Sequence, residues 1–261
     1  MDTRQNQIIE ILRIKKNVSI DYLCQSLSYS TSTIRRDVIT LQEMGLVKRE
    51  KGNVRLLVTS SKEKHFKIRA KENIDKKRVI CGLAKDFITD GMSIFLDASS
   101  TVLQLVPILA EYKNITVVTN GIEIAHALIQ IPDIEIFMSG GYVREGSSAI
   151  VGEPAIDYIK QFNLDLCILS CNGVDKKGFY EPSMQQSIVK KYMMKQAEMT
   201  IMICDSTKVG HKYKFTLAEY NEIDYFITDK KPIAEIYETA AEANCEMIYA
   251  DKGIGSIQGG V

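Results

Sequence analysis

The spacing of hydrophobic positions divides the chain into two parts that predict different architectures. In the first part, of about sixty residues, apolar side chains recur three or four positions apart, which is typical of short amphipathic helices. After residue 91 the pattern changes to continuous apolar runs of strand length, which alternate with helical segments. The first helix is expected to begin near Thr3. The three helical stripes are Ile8, Ile11 and Leu12, then Ile20, Leu23, Cys24 and Leu27, then Ile34, Val38 and Leu41.

A short polar turn joins the second and third helices, and the third helix has a cationic face. Ser30 is a good N-cap for it. At 100° per residue, the side opposite its apolar stripe holds Ser32, Arg35, Arg36, Ile39 and Glu43. Such a helix can enter the major groove of DNA, where guanidinium groups meet phosphates and guanine edges. The pattern therefore predicts a helix-turn-helix, in which Asp37 orients one arginine rather than touching DNA. The predicted DNA-facing residues are Thr31, Ser32, Thr33, Arg35, Arg36 and Lys51.

The segment after this helix predicts a basic hairpin. Residues 46–57, LVKREKGNVRLL, alternate Leu and Val with Lys and Arg, and we expect the turn at Gly52-Asn53. Three helices followed by such a hairpin form a winged helix-turn-helix. The structural alternative is a helical hairpin whose arginines are only solvated, and the basic hairpin favours DNA binding over it.

The charge distribution supports a nucleic-acid partner for the first part. The chain has 33 basic and 33 acidic side chains and is neutral as a whole. Residues 1–71 contain 15 Lys/Arg and 7 Asp/Glu, a net charge of +8, which leaves 18 and 26, a net charge of −8, for the remainder. This asymmetry indicates a basic module attached to an acidic body. A phosphate backbone attracts only the basic module.

The second part predicts a mainly parallel sheet covered by helices on both faces, because buried parallel strands are continuous hydrophobic runs. The predicted fold class is therefore α/β, with an N-terminal winged helix-turn-helix followed by a parallel-sheet domain. The apolar runs are residues 93–99, 115–120, 134–141, 164–173, 199–208 and 223–229, and a last run that starts at Cys245.

The predicted domain boundaries follow these patterns. Residues 1–58 form the winged helix-turn-helix, residues 59–73 form a polar, lysine-rich linker, and residues 74–261 form the effector domain. We expect the linker to continue directly into a helix that runs through Phe87 and stops at Gly91. A reading head of this size contacts only a short half-site, so a homo-oligomer, a dimer or a tetramer, is expected.

Small hydroxyl and glycine residues follow five of the predicted strands. Ligands of parallel sheets bind at the carboxyl ends of the strands, and helix N-termini with Ser/Thr hydroxyls bind phosphate. We therefore predict a site for a polar, phosphorylated small molecule, in which Lys208 adds a positive charge and Asp97, Asn120 and Asp205 accept from sugar hydroxyls. The alternative is ordinary N-cap and turn chemistry. The predicted ligand-binding residues are Asp97, Ser99, Ser100, Thr101, Thr119, Asn120, Gly140, Gly141, Asn172, Gly173, Asp205 and Lys208.

Other features narrow the class of protein. The 261 residues suffice for roughly two domains. The sequence has no apolar run of membrane-spanning length, and its N-terminus, MDTRQNQ, has no apolar signal core, which favours the cytoplasm. Six cysteines form no CxxC pair, and three of them lie in strand-like runs. Buried free thiols are expected, with neither a metal site nor a cofactor.

These segments resemble the DeoR family of bacterial transcriptional regulators over almost the whole chain. The most specific element is TIRRDVITLQEMGLVKR, residues 33–49, which is similar to the helix-turn-helix signature of that family. The second part matches in order through FLDASST, VVTNG, SGG, NGVDKKGF, VKKYMM, CDSTK and IDYFITD. The resemblance implies a sensor domain similar to ribose-5-phosphate isomerases. It also implies two partners, double-stranded operator DNA and a phosphorylated sugar that relieves repression of a sugar-utilisation operon.

The chain departs from the family pattern at four places. Ser28 stands where the helix-turn-helix turn usually has glycine, and residues 50–53 replace a His-Gly-Gly wing tip. Ser99 replaces the glycine of an Asp-x-Gly-Ser-Thr motif, and Gln186 stands where a glutamate is usual. The last two departures bear on which ligand is accepted.

Two other functions fit parts of the sequence. A sugar-phosphate isomerase with an accessory DNA-binding head needs a carboxylate base, and Asp97, Glu181 and Asp205 are candidates. The neutral Gln186 and the helix-turn-helix both favour sensing over turnover. The third alternative is an interaction protein with a degenerate pocket, which predicts no thermal shift with any sugar phosphate.

Overall fold

The computed structural model of the protein describes residues 3–15, 17–43, 46–50, 52–56 and 64–250. These residues belong to two compact units, Met1–Ile68 and Arg69–Val261. The predicted linker lies partly outside the described residues, so the exact domain boundaries stay a prediction.

The first unit is a winged helix-turn-helix, as predicted. Its three-stranded antiparallel sheet has the order β1-β3-β2. The sequence pattern missed β1, because three residues are too few to show an alternation. The elements are α1 (Thr3–Lys15), β1 (Asn17–Ser19), α2 (Ile20–Leu27), α3 (Thr31–Glu43), β2 (Val47–Glu50) and β3 (Asn53–Leu56).

The helical stripes of the first unit meet in one core, which explains why short helices are stable here. Ile8, Leu12, Leu23, Ile34, Val38, Leu41, Val47 and Val54 are fully buried in it. Ile11, Cys24 and Leu27 are half-buried at its rim.

The turns of this unit agree with the prediction at one helix start and correct it at the wing. Ser30 Oγ accepts a hydrogen bond from Thr33 N at 3.3 Å, so Ser30 caps α3. Ser28, at the end of α2, has φ of +58°, a left-handed conformation that glycine adopts more easily. In the wing, Glu50 pairs with Asn53, so Asn53 belongs to strand β3 and not, as predicted, to the turn. Gly52, with φ of +84°, supplies the required conformation.

The second unit is built around a seven-stranded parallel sheet with the order β15-β14-β12-β9-β4-β5-β6. Each predicted apolar run supplies one of these strands. From residue 64 onward the elements are α4 (Phe66–Arg69), α5 (Ile74–Ala84), β4 (Ser93–Leu96), α6 (Val106–Leu109), β5 (Ile115–Thr119), α7 (Ile122–Leu128), β6 (Ile134–Met138), β7 (Tyr142–Arg144), β8 (Ala149–Val151), α8 (Glu153–Ile159), β9 (Leu164–Leu169), β10 (Gly173–Asp175), β11 (Gly178–Glu181), α9 (Met184–Lys195), β12 (Ala197–Ile203), β13 (Phe215–Ala218), β14 (Tyr225–Thr228), α10 (Ala234–Glu242) and β15 (Glu246–Tyr249).

Alternating side chains of the central strands fill two cores, one on each face of the sheet. In β4, Phe95 packs on one face, against residues of α8, α9 and α10. Its neighbours Ile94 and Leu96 pack on the other face, with residues of α5, α6 and α7. The α/β class with both faces covered is therefore confirmed.

The structure differs from the sequence prediction in the helix that enters this unit. The expected continuous helix is interrupted, because α4 ends at Arg69 and α5 begins at Ile74. Asn73 lies between them with φ of +53°, which a helix does not tolerate. At the other end α5 stops at Ala84, and a 3₁₀ turn, Lys85–Phe87, follows.

Two general expectations concern the described residues. None of their helices is long and apolar enough to cross a membrane. All six cysteines are free, and five are buried, with Cys24 half-buried. The prediction of free thiols is therefore confirmed, and that of burial holds for five of them.

Candidate functional site

The strand order places a crevice between β4 and β9. From β4 the chain proceeds outward to β5 and β6, and it later returns to build the other half of the sheet from β9. Such a topological switch point is where open α/β sheets bind ligands. Residues 97–101 follow β4 at this point, and residues 170–172 follow β9.

Lys208 connects these two loops. Its Nζ donates to the Cys171 carbonyl oxygen at 2.8 Å and lies 3.1 Å from Ser170 Oγ and 3.4 Å from Thr101 Oγ1. Asp205 Oδ2 lies 4.0 Å away. The predicted residues Thr101, Asp205 and Lys208 therefore lie together at the switch point.

A second lysine, Lys77 of α5, reaches the same loop, and the sequence pattern did not predict it as a site residue. Its Nζ donates to Ser100 Oγ at 3.1 Å and to the Arg69 carbonyl oxygen. Burial lowers the pKa of Lys77 to about 8, and the positive charge of Lys208 acts in the same direction. The sequence did contain a signal that Lys77 is buried. Lys77 lies on the same face of α5 as Ile80, Cys81 and Ala84, which follow it at helical spacing.

A third lysine, Lys190 of α9, is buried among carboxylates. Its Nζ lies 2.8 Å from Asp97 Oδ2, forms an ion pair with Glu181, and donates to the Ser170 carbonyl oxygen at 2.7 Å. Burial alone would lower the pKa of Lys190, but the charges of Asp97 and Glu181 outweigh it and raise the pKa above its ordinary value. The predicted Asn172 joins this cluster, since its Nδ2 donates to Glu181 Oε2 at 2.7 Å.

Lys190 was not predicted from the sequence to belong to the site, and Glu181 was considered only as a base for the isomerase alternative. The signal for Lys190 is a lysine on the buried face of α9, one turn before Met193 and Met194. A fixed ammonium between two carboxylates organises the loops on either side of the switch point.

Four predicted residues, Asp205 among them, use their side chains to hold the loops. Thr119 Oγ1 donates to the Leu96 carbonyl oxygen at 2.6 Å. Ser99 Oγ accepts from Val102 N at 3.1 Å, and Asp205 Oδ1 accepts from Thr207 N at 3.1 Å. The Asn120 side chain bridges Ala98 N and the Ile150 carbonyl oxygen, at 3.1 and 2.8 Å. These contacts fix the backbone of the switch point, and ligand binding by these residues stays a prediction.

The predicted glycines differ in what the backbone requires. Gly141 has φ of +138°, and a Cβ there would lie 2.7 Å from the Val151 carbonyl oxygen. A Cβ on Gly173 would collide with the His211 carbonyl. Gly140 is exposed, and a Cβ there meets no described atom within 4 Å. The described hydrogen bonds do not link Gly140 or Gly141 to the lysines.

In the first unit, α3 presents the predicted surface. Thr31, Ser32, Arg35 and Arg36 are exposed, Thr33 is half-buried, and Lys51 lies outside the described residues. The expectation for Asp37 is wrong. Asp37 is buried and holds Arg4 of α1 through its two oxygens, with Nη2 3.0 Å from Oδ1, rather than an arginine of α3. Asp37 therefore ties α3 to α1 and leaves Arg35 and Arg36 outward.

A DNA-reading head and a polar crevice in a separate α/β unit define a class, the ligand-responsive transcriptional regulators. Residues 4–60 match the DeoR-like helix-turn-helix domain, and residues 72–230 match the DeoR C-terminal sensor domain. The chain belongs to the DeoR family and is a DNA-binding transcriptional regulator.

Named relatives match nearly the full chain. The HTH-type transcriptional regulator GolR of Listeria innocua is 30% identical, covering 95% of this chain and 98% of that protein. The glycerol-3-phosphate regulon repressor of Escherichia coli is 27% identical, covering 94% and 97%. The HTH-type transcriptional repressor GlcR of Bacillus subtilis is 28% identical, covering 95% and 96%. Because these relatives are regulators, the isomerase alternative is set aside.

Among solved structures, a D-ribose-5-phosphate isomerase in complex with phospho-erythronic acid matches with a TM-score of 0.39 and 19% identity. The match covers 51% of this chain and 52% of that chain. At this level of similarity, nothing about the chemistry of the crevice follows from it.

Proposed function

We propose that the protein is a repressor of a carbohydrate-metabolism operon and that a phosphorylated sugar, or a related intermediate, binds at the β4–β9 switch point. The phosphate group lies between Lys77 and Lys208, against the hydroxyls of Ser100 and Thr101. The carbon chain extends toward the cluster of Asp97, Glu181 and Lys190.

The observation that carries this proposal is that two lysines from different elements reach the same loop, residues 97–101. Two ammonium groups approach adjacent hydroxyls, Ser100 at 3.1 Å and Thr101 at 3.4 Å. The depressed pKa of Lys77 reflects its burial and the positive charge of Lys208, and an added dianion would relieve the repulsion between the two lysines. Charge-assisted bonds from ammonium groups to phosphate are among the stronger hydrogen bonds in proteins.

The relatives support the chemical class of the effector. One of them is named as a glycerol-3-phosphate regulon repressor. A phosphorylated polyol has an anionic end, which suits the lysines, and hydroxyls, which suit carboxylate and amide acceptors. The predicted residues Asn120, Gly140, Gly141, Asn172 and Gly173 would line the remainder through backbone groups and short side chains.

The reading surface is assigned to α3. Arg35 and Arg36 contact bases or phosphates of the DNA. Thr31, Ser32 and Thr33, at the start of α3, contact the sugar-phosphate backbone of the DNA. Ile39, exposed by 43% on the same face, is suited to the methyl group of thymine. We expect the regulator to act in the cytoplasm, where its operator lies, and as a dimer or tetramer. A single monomeric species in sedimentation at micromolar concentration, with and without ligand, would contradict the assembly.

The coupling between ligand and operator is proposed to run through Lys77. Its ammonium is shared between Ser100 in the crevice and the carbonyl of Arg69 at the end of α4. A bound phosphate competes for that ammonium and so weakens its hydrogen bond to the Arg69 carbonyl oxygen. Arg69 belongs to the segment that connects the sensor domain to the reading head in sequence. Couplings of this kind are typically about 1–3 kcal/mol.

Calorimetric titration with inorganic phosphate, glycerol 3-phosphate and D-ribose 5-phosphate tests the site. Lys208→Ala should lose most of the affinity for each ligand that the parent binds. The matched control, Lys214→Ala, removes an exposed lysine from the same segment and should bind as the parent does. Equal affinity of Lys208→Ala and the parent would overturn the phosphate assignment. Binding of none of the three probes by the parent would favour the degenerate-pocket alternative.

A further inference from the structure

Gln186 is a buried amide whose carbonyl is not satisfied by the protein. Only 4% of the residue is exposed, and Oε1 accepts no hydrogen bond from the described residues. Native proteins rarely leave a buried carbonyl without a partner, so such an atom needs an explanation.

The topology places this amide at the ligand-binding edge of the sheet. Helix α9 lies in the connection from β9 to β12, and these two strands are parallel neighbours in the sheet. The helix therefore begins at the carboxyl ends of the strands and runs back toward their amino ends. Gln186 lies in its first turn, where its backbone N–H donates to Ser183 Oγ at 3.4 Å. Lys190 follows on the same buried face four residues later, about 6 Å along the helix axis. The amide therefore lies in the turn of α9 that begins at the carboxyl edge, on the same buried face as Lys190, whose ammonium contacts the Ser170 carbonyl oxygen and Asp97 at that edge.

The local charges favour a neutral acceptor at this position. Asp97 and Glu181 share the single positive charge of Lys190, which leaves the cluster with a net charge of −1. A third carboxylate would add an uncompensated charge in a buried setting, which is costly. An amide supplies a carbonyl oxygen without that charge. Gln186 therefore offers an uncharged side chain whose carbonyl oxygen, among the described residues, is free to accept a hydrogen bond.

We propose that Gln186 is a specificity-determining residue of the effector site and that its Oε1 accepts a hydrogen bond from a hydroxyl on the carbon chain of a phosphorylated polyol. The proposal rests on the proposed function, because it takes the phosphate to be held by Lys77 and Lys208. It predicts that this residue distinguishes a polyol phosphate from phosphate alone.

Gln186→Met removes the acceptor at nearly constant volume, and Gln185→Met, at the exposed neighbouring position of α9, is the matched control. Calorimetric titration uses inorganic phosphate, glycerol 3-phosphate and D-ribose 5-phosphate. Of glycerol 3-phosphate and D-ribose 5-phosphate, we take the one that the parent binds more tightly. We expect Gln186→Met to bind it about tenfold more weakly than the parent does, and to bind inorganic phosphate as the parent does. The control should change neither affinity. Thermal unfolding without ligand should show no loss of stability, because the variant removes a carbonyl that lacks a partner.

The outcomes separate this proposal from the proposed function. An unchanged affinity of Gln186→Met for the polyol phosphate, or an equal loss for polyol phosphate and inorganic phosphate, overturns the role of Gln186 and leaves the lysines as the phosphate site. A parent protein that binds none of the probes overturns both. If Gln186→Met fails to fold, Gln186→Glu keeps the acceptor and adds the charge. It should retain the preference for polyol phosphate while binding all three probes more weakly, and loss of that preference would contradict the proposal.

Discussion

Raising the pH from about 7 to about 9 should weaken effector binding by roughly tenfold through one side chain, Lys77. Its pKa is lowered to about 8 by burial and by the nearby charge of Lys208. The ammonium is then roughly nine-tenths populated at the lower pH and about one-tenth populated at the higher pH. The phosphate itself stays dianionic throughout, because its second pKa is about 6. If only the charged form of Lys77 holds phosphate, the observed affinity follows the populated fraction.

Calorimetric titration at several pH values measures this effect, and repeating it in buffers of different ionisation enthalpy counts the protons taken up. The parent should take up close to one proton per bound effector at the high end of the range. Lys77→Arg keeps its charge at every pH in the range, so its pH dependence should be flat. Lys113→Arg, an exposed control just before β5 at the amino edge of the sheet, should retain the dependence of the parent. A pH-independent affinity in the parent, or the same slope in Lys77→Arg, would refute the reasoning.

The lowered pKa of Lys77 also affects the stability of the unliganded fold. Here a rise in pH is stabilising, whereas it weakens effector binding. The folded value of about 8 lies below the ordinary value of 10.5, so between these values the unfolded chain holds more protons than the folded one. The contribution of Lys77 therefore makes the fold more stable as the pH rises through this window. Comparing the parent with Lys77→Met in chemical denaturation across the window isolates this contribution, which should be absent from the variant.

Three further predictions concern named side chains. Lys190→Met should lower the free energy of unfolding by about 3–5 kcal/mol, measured by urea denaturation, because it leaves two buried carboxylates without their counter-charge; a loss well under that range would show that the carboxylates find other partners. Ser28→Gly should raise the stability of the reading head by up to about 1.5 kcal/mol, since the left-handed conformation costs a non-glycine residue about 1–2 kcal/mol and glycine loses about 0.5–1 kcal/mol in chain entropy. Ser26→Gly, inside α2, should instead lower it by about 0.5 kcal/mol, and the same sign for both variants in thermal unfolding would contradict the backbone argument. The double variant Arg35→Ala and Arg36→Ala should bind the operator more weakly in a filter-binding assay. The expected loss is about 1–3 kcal/mol for each arginine that contacts a base. An unchanged affinity would show that α3 is not the reading helix.

The parallel sheet was predictable because its strands are buried on both faces. Each strand lies in an apolar run, and the run at 115–119, ITVVT, consists entirely of β-branched residues, which favour a strand over a helix. The wing hairpin at residues 46–57 was predictable from its alternation, but the short antiparallel strands of the second unit were not. Tyr142–Arg144 pairs with Ala149–Val151 over only three residues and is exposed along most of its length, so no alternation marks it.

The crevice was only partly predictable, for a related reason. Its loops follow the strands, and their hydroxyl, glycine and carboxylate residues are visible as polar interruptions of apolar runs. Lys77 and Lys190 come from helices that cover opposite faces of the sheet, and their approach to the loops depends on how those helices pack. A lysine inside an apolar stripe is the available signal in both cases. Asp37 shows the limit of such signals, because its partner Arg4 lies 33 positions away in sequence.

The most direct test of a ligand-responsive repressor is an operator-binding titration in the presence of sugar phosphates, with a DNA site selected from a random library by the full-length protein. We predict that at least one of glycerol 3-phosphate and D-ribose 5-phosphate changes operator affinity about 5- to 150-fold, and that Lys208→Ala binds the operator normally but does not respond. Chromatography of the same mixtures should recover the sugar phosphate unchanged. Conversion of the ligand at a metabolic rate, or an operator affinity that no sugar phosphate alters in the parent, would contradict this function.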